Sequence, residues 1–288
     1  MARPFHPTPP RPRPPALTVW GAALCFLTTV AVLIGVGCAG GQPPEPERGE
    51  GPGHRPQKLA LTPQQEIALG RKAFREILND PEKYGPVVPA DNPVSRRIRD
   101  VARRLIQATK IEPLMREMNL DQNGYRYQYE WEVAVLQRNE ANAFCLPGGK
   151  ICVFTGILRI TKNDDQVATV LGHEMAHALA HHVSERLAMR DGKGVFEALR
   201  SKAFERSQES EADHIGLFLM TFAGYDPDEA LRFWERMQQA TQDQQRPPEF
   251  LSDHPSEERR IADIRKWIPQ AKAAKKAYDA GDIAPAGR

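Results

Sequence analysis

The chain has 288 residues, a formal net charge of +2, 26% charged and 41% hydrophobic residues. Basic and acidic residues nearly cancel and no basic stripe is visible, which argues against a nucleic-acid partner. No internal repeat recurs along the chain, so solenoids and propellers are set aside.

Residues 1–37 read as a signal peptide or membrane anchor. Met1 to Pro15 is Pro-rich and basic, and Ala16 to Val36 is an uncharged run of 21 residues. That run is long for a signal-peptide core and just long enough to span a bilayer. It ends in Gly35-Val36-Gly37-Cys38-Ala39. A small residue before a Cys at this place resembles a bacterial lipobox, which would make Cys38 the lipidated first residue of the mature protein. Gly35 departs from that pattern, which prefers an aliphatic residue. An uncleaved anchor and a plain secretory signal stay open as alternatives. The positive flank puts the remainder across the membrane from the cytoplasm in each case. Ala39, rather than Asp, after the Cys resembles outer-membrane sorting, so a bacterial envelope protein on the periplasmic side is expected. Residues 38–58 are rich in Gly, Pro, Glu and Arg and are expected to form a flexible tether.

Residues 59–268 are enough for one core of ordinary size, with 269–288 left as a C-terminal helix or tail. Thr62-Pro63-Gln64-Gln65 predicts a helix start with a capping box and Pro at the first position, running to Asn79. Asn92-Pro93 opens a second helix to about Lys110, with Ile98, Val101, Leu105 and Ile106 as its buried stripe. Tyr125, Tyr127, Tyr129, Trp131, Val133 and Val135 alternate with mostly polar residues, the pattern of a half-buried strand. Asn142-Ala143-Phe144-Cys145 and Lys150-Ile151-Cys152-Val153-Phe154 read as two short strands joined through Leu146-Pro147-Gly148-Gly149, where Pro and Gly favour a tight turn. Across such a hairpin Cys145 and Cys152 form either a disulfide or two buried thiols; the register decides which. No CxxC pair exists, so a Cys-based metal site is not expected.

His173-Glu174-Met175-Ala176-His177 is the most informative stretch. Four residues of α-helix turn about 400°, so the two imidazoles project from one face, a turn apart. That spacing lets both reach one Zn²⁺, with Glu174 beside them placed to take a proton from water. A further protein ligand is needed. The metzincin spacing would require Gly at position 180 and His at position 183, whereas the chain has Ala180 and Val183. A second helical run, from about Val195 to Phe222, carries Glu209 and Asp213 on one face, with Glu211 turned about 200° from Glu209. Glu209 would complete a two-His, one-Glu set, and Asp213 could accept the second N–H of a ligand imidazole. The alternative is a solvated acidic face. His181 and His182 read as surface or supporting residues, with His181 nearer the ligand face. His254, in Ser252-Asp253-His254-Pro255, lies on a loop stiffened by the following proline.

Several segments together resemble the membrane-associated gluzincins of metallopeptidase family forty-eight, with its HtpX-like, Oma-like and prenyl-protease members. They are Asn142-Ala143-Phe144 with Pro147-Gly148-Gly149, Thr155-Gly156-Ile157-Leu158, Val170-Leu171-Gly172-His173-Glu174, Glu209 to Asp213, Gly224-Tyr225-Asp226-Pro227, His254-Pro255 and Arg260-Ile261. The resemblance implies an α+β fold: a mostly helical zincin-like domain with one small sheet and an edge-strand hairpin beside the HExxH helix. It implies a zinc endopeptidase with one Zn²⁺ per chain, acting at membranes on unfolded or misfolded envelope proteins in quality control. It also implies that Gly148, Gly149, Lys150, Ile151, Cys152 and Val153 hold the peptide as an edge strand. His254 would stabilise the oxyanion or occupy the open coordination position. A non-catalytic zinc-binding lipoprotein that holds unfolded partners is the rival reading, which the intact Glu174 opposes. An intramembrane protease is opposed by the single apolar segment. Nothing in the sequence fixes an oligomeric state.

Overall fold

The computed structural model describes residues 48–50, 56–117, 120, 128–189, 206–243, 250–251, 254 and 258–282. These belong to one unit spanning Pro44–Arg288. The apolar run at 16–36, Cys38, Tyr125 and Tyr127 lie outside the described residues. Among those described, no helix is long and apolar enough to cross a membrane.

Two short strands, β1 (Arg48–Glu50) and β2 (Pro56–Lys58), pair antiparallel, so the expected tether is not featureless. Gln57 is buried and its Nε2 donates to the Ala180 carbonyl at 2.7 Å. One well-placed amide thus ties a segment of otherwise non-core composition to the domain. Helix α1 (Pro63–Leu78) begins as its sequence predicts. Thr62 accepts from the Gln65 N–H, and the Gln65 side chain accepts from the Thr62 N–H. After the turn of helix α2 (Pro81–Tyr84), α3 (Pro93–Ala108) starts under an Asn92 cap and buries Ile98, Val101, Ala102 and Leu105. A short helix, α4 (Glu112–Glu117), follows.

The sheet consists of β3 (Glu132–Leu136), β4 (Ala143–Leu146) and β5 (Lys150–Phe154) in the order β3-β5-β4. The aromatic alternation continues from a non-strand Tyr129 and Trp131, which stack at 4.9 Å, into β3. This order corrects the expected edge strand. Lys150, Ile151, Cys152 and Val153 lie in the central strand, paired parallel to β3 and antiparallel to β4. Gly148 and Gly149, both at positive φ, form the turn. The edge of the hairpin is β4. A hairpin in isolation has two equivalent edges, and only the pairing with β3 chooses between them.

The register also decides the cysteines. Cys145 pairs with Ile151 and Cys152 with Phe144, so their side chains leave opposite faces of the sheet. Cys152 packs with Ala134, Leu136 and Phe154 against Phe74 and Ile77 of α1. Cys145 joins Ile151 and Val153 in the main core. Both are free, buried thiols, and the disulfide alternative falls.

A 3₁₀ turn (Thr155–Arg159) leads to α5 (Asp164–Leu179), capped by Asn163 with Asp164 and Asp165 in its first turn. α5 is buried along most of its length. Leu171, Met175 and Leu179 are at most 2% exposed, and each contributes about 1.5–3 kcal/mol on leaving water. Helix α6 (His182–Met189), α7 (Arg206–Phe222), α8 (Asp228–Asp243) and α9 (Glu258–Asp279) complete the domain. α9 continues past residue 268, where the domain was expected to end, with Pro269 inside it. α5 and α7 cross at Gly172 and Gly216, where a Cβ on Gly216 would lie 2.8 Å from the His173 nitrogen. Only glycine permits that approach, and it occurs beside the first histidine of the motif.

Candidate active site

The α5–α7 crossing brings His173, His177 and Glu209 together, and His254 joins them from the segment beyond α8. One donor atom from each lies within 4.8 Å of all the others. All four residues are buried. His173 Nε2 and His177 Nε2 are 3.1 Å apart. Glu209 Oε2 lies 3.4 Å from His173 Nε2, and Oε1 lies 3.5 Å from His177 Nε2. His254 Nδ1 is 3.2 Å from His173 Nε2 and 2.9 Å from Glu209 Oε1. A tetrahedral zinc site with bonds of about 2.0–2.1 Å has ligand–ligand edges of about 3.3–3.4 Å. The donor set therefore fits such an ion in both chemistry and spacing.

Glu174 sits at the rim of this cluster, with Oε1 3.2 Å from His254 Nε2. Asp213 Oδ1 is 3.0 Å from His173 Nδ1, the position expected of a carboxylate that orients a ligand imidazole. Arg260, in the first turn of α9, joins both acids of α7. Its Nε and Nη2 reach Asp213 at 2.6 and 2.8 Å, and its Nη1 reaches Glu209 at 2.9 Å. The guanidinium lies over Trp234, 4.2 Å from the ring centroid. Trp234 and Phe250 also pack edge-on against His173.

The electrostatics follow from burial and these contacts. Burial pulls His177 well below the ordinary imidazole value. Burial acts on His173 too, but hydrogen bonds with Asp213 and Glu209 outweigh it and leave His173 raised. Burial would push Glu209 up; His254 and Arg260 reverse this and hold it well below the carboxylate range. Asp213 is lowered, burial again being outweighed, here by Arg260 and then His173.

The structure gives His181, His182, Glu211 and Arg260 specific partners. His182, not His181, stands against His177. α5 stops at Leu179, and His181 takes a left-handed φ of 54°, so a helical projection beyond that point fails. His181 Nδ1 instead meets Glu66 at 2.8 Å. His182 Nδ1 lies 2.8 Å from His177 Nδ1, and its Nε2 lies 2.9 Å from Glu211 Oε2. Glu211, directed away from Glu209 as expected, is thus directed at His182. Arg260 was visible in sequence only as part of a matching segment. No local spacing ties it to Asp213, 47 positions earlier.

An HExxH helix crossed by a carboxylate-bearing helix, beside a small sheet, defines a zincin-like metallopeptidase. The chain belongs to Peptidase family M48, whose profile matches residues 105–199 and 193–268, more than half of the chain. It is 32% identical over 246 residues to the mitochondrial metalloendopeptidase OMA1 of Saccharomyces cerevisiae, covering 77% of this chain and 68% of that protein. The Arabidopsis thaliana protein of the same name is 40% identical over 164 residues, covering 51% of this chain and 33% of the relative. The β-barrel assembly-enhancing protease of Escherichia coli is 28% identical over 167 residues, covering 48% and 34%. The chain thus spans between one third and about two thirds of these relatives' lengths. It is a metalloendopeptidase acting on protein substrates.

Proposed function

We propose that the chain is a zinc-dependent endopeptidase that cleaves unfolded or misfolded proteins of the cell envelope as part of quality control. The observation that carries this reading is the convergence of His173, His177 and Glu209 donor atoms at tetrahedral-edge spacing, with Glu174 alongside. These three residues would hold one Zn²⁺ per chain. When bound, zinc supplies a Lewis acid and makes an attacking water more acidic. Glu174 accepts the proton of that water and delivers it to the leaving amine. Asp213 accepts from His173 Nδ1–H and so directs the Nε2 lone pair inward.

His254 is best read as a gate. Its Nδ1 approaches His173 and Glu209 while its Nε2 approaches Glu174, so the ring fills the side where substrate and water would enter. Phe250, four residues before His254, touches the chain just ahead of β4, since its N–H donates to the Ala141 carbonyl at 3.0 Å. The Phe154 N–H bonds the Asn142 carbonyl, and by antiparallel alternation Ala143 and Cys145 turn their backbone groups away from β5. The Ala143 N–H is taken up by the Asn142 Oδ1 at 2.8 Å, so an extended peptide adding to β4 would meet the Ala143 carbonyl and the Cys145 groups, a mode largely indifferent to side chains. Entry of the peptide and withdrawal of His254 would then be one event.

For location, we retain the N-terminal segment as a membrane attachment, with Cys38 as the lipidated residue on the periplasmic side and residues 59–268 as the catalytic domain. The Escherichia coli relative is named for enhancing β-barrel assembly, which agrees with substrates drawn from envelope proteins. Digestion of unfolded casein, with and without a chelator, tests the activity. Hydrolysis that survives chelation refutes the zinc reading. Mass spectrometry of the mature N-terminus tests the anchor, and a start anywhere but an acylated Cys38 rejects it.

A further inference from the structure

We propose that His182 and Glu211 are positioning residues that fix the ring proton of His177 on Nδ1, and thereby keep the Nε2 lone pair directed at the metal position. The inference rests on the metal-site reading above and extends it to residues outside the ligand set. His177 and His182 present the same type of nitrogen to each other, Nδ1 to Nδ1 at 2.8 Å, so one must donate and the other accept. Geometry at this contact alone leaves the direction open. The other end of His182 supplies the second contact. Nε2 lies 2.9 Å from Glu211 Oε2, the geometry of an N–H donated to a carboxylate. A ring with one proton that donates there offers Nδ1 as an acceptor, and this assigns the donor at the shared contact to His177 Nδ1. His177 Nε2 is left with its lone pair, 3.1 Å from His173 Nε2 and 3.5 Å from Glu209 Oε1.

The two imidazoles of the motif are therefore oriented by different means. Asp213 acts directly on His173, whereas His177 is reached from a carboxylate through a second imidazole. The backbone is shaped for this. His182 can fold back on His177, five residues earlier, because His181 adopts its left-handed conformation between α5 and α6. Non-glycine residues rarely take that conformation, and it persists where surrounding contacts impose it. Here the contact between His181 and Glu66 anchors the turn. His182 is fully buried, with no exposure to water. Its ring proton is accordingly set by protein partners.

The test uses the full-length chain with ¹⁵N-labelled histidine and zinc itself as the probe. Ring-nitrogen shifts should show His177 protonated on Nδ1 and His182 on Nε2. His177 protonated on Nε2, or His182 on Nδ1, overturns the relay. Zinc affinity is then measured by chelator competition for wild type, His182→Leu and His182→Asn. Removal of a group that orients a ligand imidazole weakens metal binding by about 10–100-fold, and that loss is expected for His182→Leu. His182→Asn offers an amide oxygen near the lost Nδ1 and should recover most of the affinity. A purely structural role would lower the melting temperature of both variants and leave the zinc affinity of the folded protein unchanged, which refutes the proposal. If His182→Leu does not fold, the wild-type ring-proton assignment decides. If wild type binds no zinc while its ring protons are as stated, the zinc reading fails and the relay stands.

Discussion

Arg260→Met is the most searching substitution for the account of the buried charges. The side chain lost is 5% exposed, and the carboxylates it serves, Asp213 and Glu209, are each 4% exposed. Methionine restores most of the volume but none of the bonds at 2.6, 2.8 and 2.9 Å. Removing one partner of a buried ion pair costs about 3–5 kcal/mol, because the other charge stays behind in low dielectric. The loss should depend on pH in a definite direction. Asp213 sits below its ordinary value of 3.8, and Glu209 well below 4.5. A carboxylate depressed on folding adds stability above its ordinary value and loses it as pH falls through the folded value. Without Arg260, burial, which pushes both groups up, is less opposed. The variant is therefore penalised most near neutrality, and protonation relieves that penalty in acid. Urea unfolding in the presence of chelator, followed by far-UV circular dichroism at pH 7 and pH 4, measures both quantities. A difference below about 1 kcal/mol at pH 7, against the expected 3–5 for a broken buried pair, refutes the reasoning. So does a difference that grows in acid.

Glu174→Gln should keep its zinc, measured by elemental analysis, and lose about 10²–10⁴-fold in casein hydrolysis, since a general acid–base group is removed and no ligand is; more than a tenth of wild-type activity rejects that role. Glu209→Ala should instead lose the metal. Gly216→Ala places a methyl group 2.8 Å from the His173 nitrogen, so thermal unfolding should show about 1–3 kcal/mol of overpacking, together with weaker zinc binding in a chelator titration. A folded variant with wild-type affinity would show that the crossing does not set the ligand spacing. Burial holds the Cys145 thiol well above its ordinary value and raises Cys152 as well, so both should resist alkylation in the native protein and react once it is denatured. A disulfide-linked peptide joining them in a non-reducing digest would contradict the register of the hairpin.

The parts of the site legible in sequence are those set by local periodicity. His173 and His177 share a face because helix geometry demands it at a spacing of four, and the same rule pairs Glu209 with Asp213. The Thr62 and Asn92 caps are local as well. What remained hidden depends on how elements meet and on one local break in helical backbone. The edge of the hairpin could not be known before β3 chose its side. The contact of His182 with His177 was concealed by one residue, His181, leaving the helical region of the backbone. Arg260 lies on a separate helix, and its meeting with Asp213 is a consequence of how α9 packs. Gly172 and Gly216 carry no local signal of their meeting, which is backbone against backbone.

That contact also explains how so much charge is held inside the domain. Side-chain packing between helices can relax by fractions of an ångström, but backbone against backbone at Gly172 and Gly216 fixes the separation of α5 and α7 beside His173. The histidines of one helix and the acids of the other are thereby kept within bonding reach of a common centre. Glu174, Glu209 and Asp213 lie together in this buried group, with Arg260 serving Asp213 and Glu209 and His254 facing Glu174 and Glu209. Carboxylates held away from water are expensive unless they are paired. A divalent cation at the convergence of His173, His177 and Glu209 would add to that pairing, so metal binding and the stability of the α5–α7 crossing should rise and fall together.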